Sequence, residues 1–180
     1  MRANAFEVFN FFTETPQKST DIRVLGLYQN KRTYRYVNEQ YLENCEWINK
    51  YKVFVPESNG ASGMLGDEAA RIISRPAMGV PNDGVTQTFI VVGAFDTQVE
   101  ADNLHKYILS KFCRLLLGSL KATQRNNSST WANVPLQDFT ANSDIDWSKS
   151  IPEIDQQLYA KYNLTEEEIS FIESMIKPME

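Results

Sequence analysis

Thr97-Gln-Val-Glu-Ala-Asp-Asn-Leu-His-Lys-Tyr-Ile-Leu-Ser-Lys-Phe-Cys-Arg-Leu-Leu-Leu117 is the strongest helical pattern in the chain. Leu104, Ile108, Phe112, Leu115 and Leu116 recur at near-helical spacing, so one face is apolar. Asp96 or Thr97 is placed to cap its start, and the pattern stops near Gly118. A helix with one apolar stripe buries it against another layer, and the flanking stretches supply a sheet. Ile22–Tyr28 and Thr33–Val37 are rich in strand-forming residues, with Gln29-Asn-Lys-Arg32 as a polar hairpin connection between them. Asn38 opens a short helix in which Tyr41, Leu42 and Cys45 share a face. Tyr51-Lys-Val-Phe-Val55 is a further strand, stopped by Pro56 and a Ser58–Gly63 loop. Arg71-Ile-Ile-Ser74 and Gln87–Val92 read as two more, separated by a Pro76–Gly84 loop. Pro152 after Ser150 and the capping box Thr165-Glu-Glu-Glu168 open two short helices, and Pro178 closes the last. The expected fold is α+β: a mixed or antiparallel twisted sheet packed on one long amphipathic helix, with two short C-terminal helices. Residues 1–140 are expected to form the α+β domain and residues 141–180 a C-terminal helical extension.

The 180 residues are 42% hydrophobic and 23% charged, ordinary values for a folded domain with a core. No run approaches the roughly 20 apolar residues of a membrane helix, and Met1–Phe6 lacks the apolar stretch of a signal peptide. Only Cys45 and Cys113 are available, too few for a disulfide framework. These features predict a cytoplasmic protein with reduced thiols and no membrane partner. The net charge of −5 argues against a nonspecific DNA binder, but it is unevenly spread. Residues 1–127 hold 15 Lys/Arg and 13 Asp/Glu, whereas residues 128–180 hold 3 and 10.

Catalytic patterns are missing. There is no phosphate-binding Gly-x-x-x-x-Gly-Lys-Ser/Thr loop, no dinucleotide fingerprint and no Cys-x-x-Cys pair. The single histidine, His105, lies within the long helix and reads as a boundary residue. Asp67-Glu68, Asp83, and Asp144 with Asp146 read as loop or cap chemistry rather than cation ligands. No residue is assigned a catalytic or metal-binding role.

Three stretches carry a family resemblance. Trp47-Ile-Asn-Lys-Tyr-Lys-Val-Phe-Val55 is the first. Gln87–Gly93 with Glu100–Leu104 and Lys111–Leu116 is the second. Val134-Pro-Leu-Gln-Asp-Phe139 followed by Asp144-Ile-Asp-Trp147, Ile154–Tyr159 and Leu164–Ile169 is the third. In this order they resemble the C-terminal target-recognition domains of adenine-specific type II restriction–modification methylases, including fused methylase–endonucleases. The resemblance spans from about residue 45 to the end. It implies a module that reads double-stranded DNA beside an N-terminal methyltransferase domain. S-adenosylmethionine, and Mg for any nuclease part, would belong to those other domains, and no cofactor is expected in this chain. The Asn/Asp-Pro-Pro-Tyr/Phe motif that holds the target adenine is absent, so methyl transfer by this chain alone is not expected.

Reading bases requires forked or amide donors, and phosphate contacts come from cationic and hydroxyl side chains. Two segments concentrate these types. One is Asn30, Lys31 and Arg32 with Tyr34 and Arg35. The other is Lys121, Gln124, Arg125, Asn126 and Asn127, a stretch too polar to be core. Arg71 and Arg75 are weaker candidates. A second reading makes the acidic C-terminal helices a protein-docking face through Ile154, Leu158, Tyr159, Ile169, Ile172 and Met175.

Overall fold

Gln29 and Asn30 both take positive φ, 49° and 60°, and turn the chain in two residues. Such a turn matches the twist of the strands it joins. The computed structural model describes residues 1–42, 45–59 and 65–179. Its elements run α1 (Ala5–Val8), β1 (Ile22–Tyr28), β2 (Lys31–Val37), β3 (Tyr51–Pro56), β4 (Ala77–Gly79), β5 (Asp83–Val85) and β6 (Phe89–Phe95). The helices α2 (Gln98–Leu109), α3 (Lys111–Ser119), α4 (Ile151–Lys161) and α5 (Glu166–Met175) follow. The class is α+β, as the sequence predicts.

There are two small sheets rather than one. The first has the order β2-β1-β5, with β1 antiparallel to β2 and parallel to β5. The second has the order β4-β3-β6 and is antiparallel throughout. Leu25, Phe54 and Phe89 form the cluster between them. β3 is buried on both faces: Phe54 points into that cluster while Val53 and Val55 point into the main core. Gly93 is an extra residue opposite the Lys52–Val53 step, with φ of 70°. This is a bulge that glycine accommodates without strain, and a Cβ there would meet Leu104 at 2.5 Å.

The main core gathers Leu104 and Ile108 of α2, Phe112 and Leu117 of α3, Ile154 and Leu158 of α4, and Ile172 of α5. It also takes in Phe139, Ile145 and Trp147, so it runs without a break across residue 140. Thr165 with Glu168 forms the capping box expected from the sequence, and Ser150 with Glu153 forms a second. Among the described residues, no helix is long and apolar enough to cross a membrane. Cys45 and Cys113 are both free thiols.

Four local expectations are corrected. Lys31 and Arg32 open β2 instead of lying in the hairpin connection. The Pro76–Gly84 stretch contains β4 and the start of β5, because three-residue strands carry too short a pattern to be read. Arg71–Ser74 is not a strand. Ile72 sits at φ 68°, and the carbonyls of Arg71 and Ile72 accept from the side chains of Arg114 and Lys121. Asn38 caps a single 3-10 turn (Glu39–Tyr41) in which Tyr41 is exposed; residues 43 and 44, and residues 60–63 of the Ser58–Gly63 loop, lie outside the described residues.

The long helix is also broken. Ser110 is extended (φ −62°, ψ 148°) and serves as both the C-cap of α2 and the N-cap of α3. Its hydroxyl accepts from the Cys113 amide at 3.1 Å and donates to the Tyr107 carbonyl at 2.7 Å. The Asp155 carboxylate, brought in by α4, accepts the Lys111 and Phe112 amides at 3.0 and 2.9 Å. On the other side of the break, Arg114 Nε donates to the Leu109 and Ser110 carbonyls. Every break exposes backbone donors and acceptors, and here buried side chains satisfy both sets. Burial raises the Asp155 carboxyl to about 6, while the two amides work in the opposite direction. Asp155→Ala leaves two buried amides unmatched, each costing about 1–3 kcal/mol. Urea unfolding is expected to show a loss of about 2–4 kcal/mol with an unchanged slope, and a loss below about 1 kcal/mol would contradict this role for Asp155.

Candidate nucleic-acid interface

Strand alternation sorts the hairpin donors before any packing is considered. Arg32 pairs across from Leu27 and Tyr34 from Leu25, while Arg35 pairs with Val24 and Lys31 with Tyr28 on the opposite face. Arg32 therefore lies on the side facing the second sheet. Its Nη1 donates to the Arg75 carbonyl at 2.6 Å, and its guanidinium sits 5.6 Å from the centre of the Phe89 ring. Tyr34 is partly exposed, with the Arg23 guanidinium stacked over it at 4.6 Å. Arg23 in turn clamps Asp83 through two hydrogen bonds of 2.7 and 2.6 Å. Arg35 lies flat on Tyr28 at 4.4 Å, with its side chain 16% exposed. Asn30 and Lys31 stand exposed at the hairpin tip.

The second segment reaches the same end of the molecule. Phe89, beneath Arg32, pairs with Pro56 at the end of β3. The next residue, Glu57, sits 3.7 Å from Arg125 Nη1. The Gln124 carbonyl accepts the Asn59 amide at 2.9 Å, and Asn59 Oδ1 accepts the Ser74 amide, one residue before Arg75. Arg32, Arg75 and Arg125 thus converge on the junction of β3, β6 and residues 71–76. Arg75, Gln124 and Arg125 are exposed, and so is the side chain of Arg71. Asn127 is also exposed, but its carboxamide caps the 128–131 turn by accepting from Thr130.

Two expected contacts are corrected. Lys121 is buried and donates to the Ile72 carbonyl at 2.6 Å. Asn126 is fully buried, with Nδ2 donating to the Pro56 carbonyl at 2.7 Å. Neither is available at the surface, and the 121–130 stretch is partly core despite its composition. The reason is that its polar side chains serve as partners for backbone groups of β3 and residues 71–74. A buried polar group needs such a partner, and a buried backbone carbonyl needs one equally.

Three cations missed as structural parts belong to the same scheme. Lys52 is buried and donates to the Trp47, Ile48 and Val80 carbonyls. Arg114 is buried and, besides capping α2, donates to the Arg71 and Lys177 carbonyls. Arg23 spends its charge on Asp83. A Lys within the apolar run Tyr51-Lys-Val-Phe-Val55 was a legible signal for the first. Nothing local marks the other two.

The remaining candidates have plain roles. Asp144 pairs with Lys161 at 2.8 Å, and Asp146 accepts from the Ser148 amide and hydroxyl. His105 is half-buried, and burial lowers its pKa. Among the described residues, no group of three or more His, Cys, Asp or Glu is placed to hold a metal ion. In comparison with known proteins, the chain matches no family model, no curated protein and no solved structure.

Burial lowers the ammonium of Lys121, and likewise that of Lys52, to about 8. Their unfolded counterparts hold the proton up to about 10.4. Between these values the unfolded chain binds more protons, so stability rises with pH across that window. The expected gain is on the order of 3 kcal/mol per lysine. Lys121→Met should make the urea midpoint rise less, or fall more, between pH 8 and 10 than it does in the parent chain. An identical change in the variant would show that Lys121 does not titrate in the fold.

Proposed function

We propose that this chain is a sequence-reading DNA module of an adenine-specific restriction–modification enzyme, non-catalytic by itself. The observation that carries the proposal is the convergence of Arg32, Arg75 and Arg125 at one end of the molecule, with Asn30, Lys31 and Gln124 exposed beside them. Guanidinium groups pair in forked geometry with guanine and with phosphate, and carboxamides pair with adenine. Among the described residues, the Arg125 guanidinium has one ion pair, an exposed contact to Glu57 that a phosphate can replace at little cost. Of the remaining basic side chains, Lys121 lies inside, Arg23 is committed to Asp83 and Arg35 to Tyr28, and Arg71 is a further exposed one. Reading is therefore concentrated on few residues. Transfer of the methyl group from S-adenosylmethionine, and any Mg-dependent cleavage, fall to neighbouring domains.

The docking reading has less support. Of the six residues of that face, Ile154, Leu158, Tyr159 and Ile172 are almost wholly buried in the chain's own core, and only Ile169 and Met175 are partly exposed.

The test is selection from a randomised duplex pool, followed by anisotropy titration of the enriched duplex across a salt series. Binding is expected to weaken linearly in log salt, with a slope set by the few phosphates neutralised. Arg32→Ala and Arg125→Ala are expected to weaken it. A base-contacting residue costs about 1–3 kcal/mol and relaxes preference at one position. A phosphate-contacting residue weakens all sequences alike. Failure to enrich any sequence, or variants that bind like the parent at every salt concentration, overturns the proposal.

A further inference from the structure

A cleft of about 770 Å³ opens between the N-terminal segment, residues 39–42 and 45–49, and strands β1 and β5, away from the arginine cluster. Its volume is that of a small-molecule site. Three rings on its wall are nearly parallel. Phe9 stacks on Phe11 at 5.0 Å and 17°, and Phe11 stacks on Tyr41 at 4.6 Å and 8°. The ladder ends at Tyr41, which is 52% exposed, so the stack is open at that end. Trp47 lines the same cleft, with the Lys52 ammonium 5.4 Å from its ring centre.

The polar part of the lining is Arg2, Glu39 and a set of carboxamides. Gln40, Asn49 and Asn82 are exposed around the aromatic wall, and their carboxamides make no hydrogen bond among the described residues. Asn59, by contrast, is engaged with backbone groups through both its oxygen and its nitrogen. A carboxamide offers a donor and an acceptor side by side, the pattern found on the edges of nucleobases. An aromatic face open for stacking, ringed by unengaged carboxamides, is how unpaired bases are held. A purely apolar ligand would leave the carboxamides unused, and the three donors of Lys52 are already taken by carbonyls.

We infer that this cleft is a binding site for a heteroaromatic base, stacked on Tyr41 and read at its edge by Asn49, Gln40 and Asn82. The base comes either from a free nucleoside or from an unpaired nucleotide of a strand. The site does not depend on the arginine cluster and stands or falls separately from duplex reading.

The experiment is an amide and indole NMR titration of the full chain with adenosine, guanosine, cytidine and thymidine, with benzyl alcohol as an apolar ring control. A second arm uses a short single-stranded oligonucleotide and its abasic counterpart. Saturable shifts of the Trp47 indole and of the Gly84 and Val85 amides are expected with at least one nucleoside. Tyr41→Ala, an exposed position, should weaken binding at least about fivefold. Asn49→Ala should weaken it while leaving the fold intact, and Arg125→Ala should leave it unchanged. Tighter binding of the oligonucleotide than of its abasic form assigns the base to a strand, and equal or weaker binding assigns it to a free nucleoside. Shifts absent from the cleft, benzyl alcohol binding as well as every nucleoside, or no effect of Tyr41→Ala overturns the inference.

Discussion

Two opposite charges hold the fold at one point. Asp155 accepts the first amides of α3, and Arg114 donates to the last carbonyls of α2, on either side of the extended Ser110. Without them, the apolar stripe would run as a straight helix with nothing to redirect it. With them, α3 turns so that Phe112 and Leu117 meet Ile154 and Leu158 of α4. Arg114 then reaches on to the carbonyls of Arg71 and Lys177, so the same side chain fastens residues far apart in sequence to the helical break. The Ala70–Ile176 bridge lies alongside and continues that attachment.

Arg114 is one of three buried cations solvated by backbone carbonyls rather than by paired carboxylates, the others being Lys52 and Lys121. Taking a charge out of water costs several kcal/mol, and each charge-assisted hydrogen bond returns only about 1.5–3 kcal/mol. Lys52, with three carbonyls, and Arg114, with four, come close to balance. Lys121 has one close acceptor and is the least well compensated. In return, irregular chain is held in the interior. The carbonyls of Trp47, Ile48, Arg71, Ile72 and Val80 lie outside the ladders, and long cationic side chains satisfy them instead.

This use of cations shapes the surface. A chain of net charge −5 with many of its basic groups ligated internally is left with few free guanidinium groups. Arg32 projects from β2, and Arg75 and Arg125 from irregular chain, beside the platform that doubly buried β3 forms. The aromatic cleft lies apart from this platform, against the N-terminal segment, and offers stacking where the arginine cluster offers charge.

What the sequence by itself determined was whatever rests on neighbours along the chain. The α+β class, the Ile22–Val37 hairpin, the helix start after Ser150, the capping box at Thr165 and the apolar faces of α2 to α5 all follow from periodicity and local hydrogen bonding. Arg32 and Arg125 were legible as donors because their residue type already states their chemistry. What only the tertiary structure decided was where each polar group finds its partner. The break at Ser110 depends on a carboxylate 45 residues away, the burial of Lys121 and Asn126 depends on carbonyls of Ile72 and Pro56, and β4 exists because β3 lies beside it. The Phe9–Phe11–Tyr41 ladder likewise brings together rings that share no periodic pattern. Burial of a polar group is a property of the pair, and a sequence shows only one member at a time.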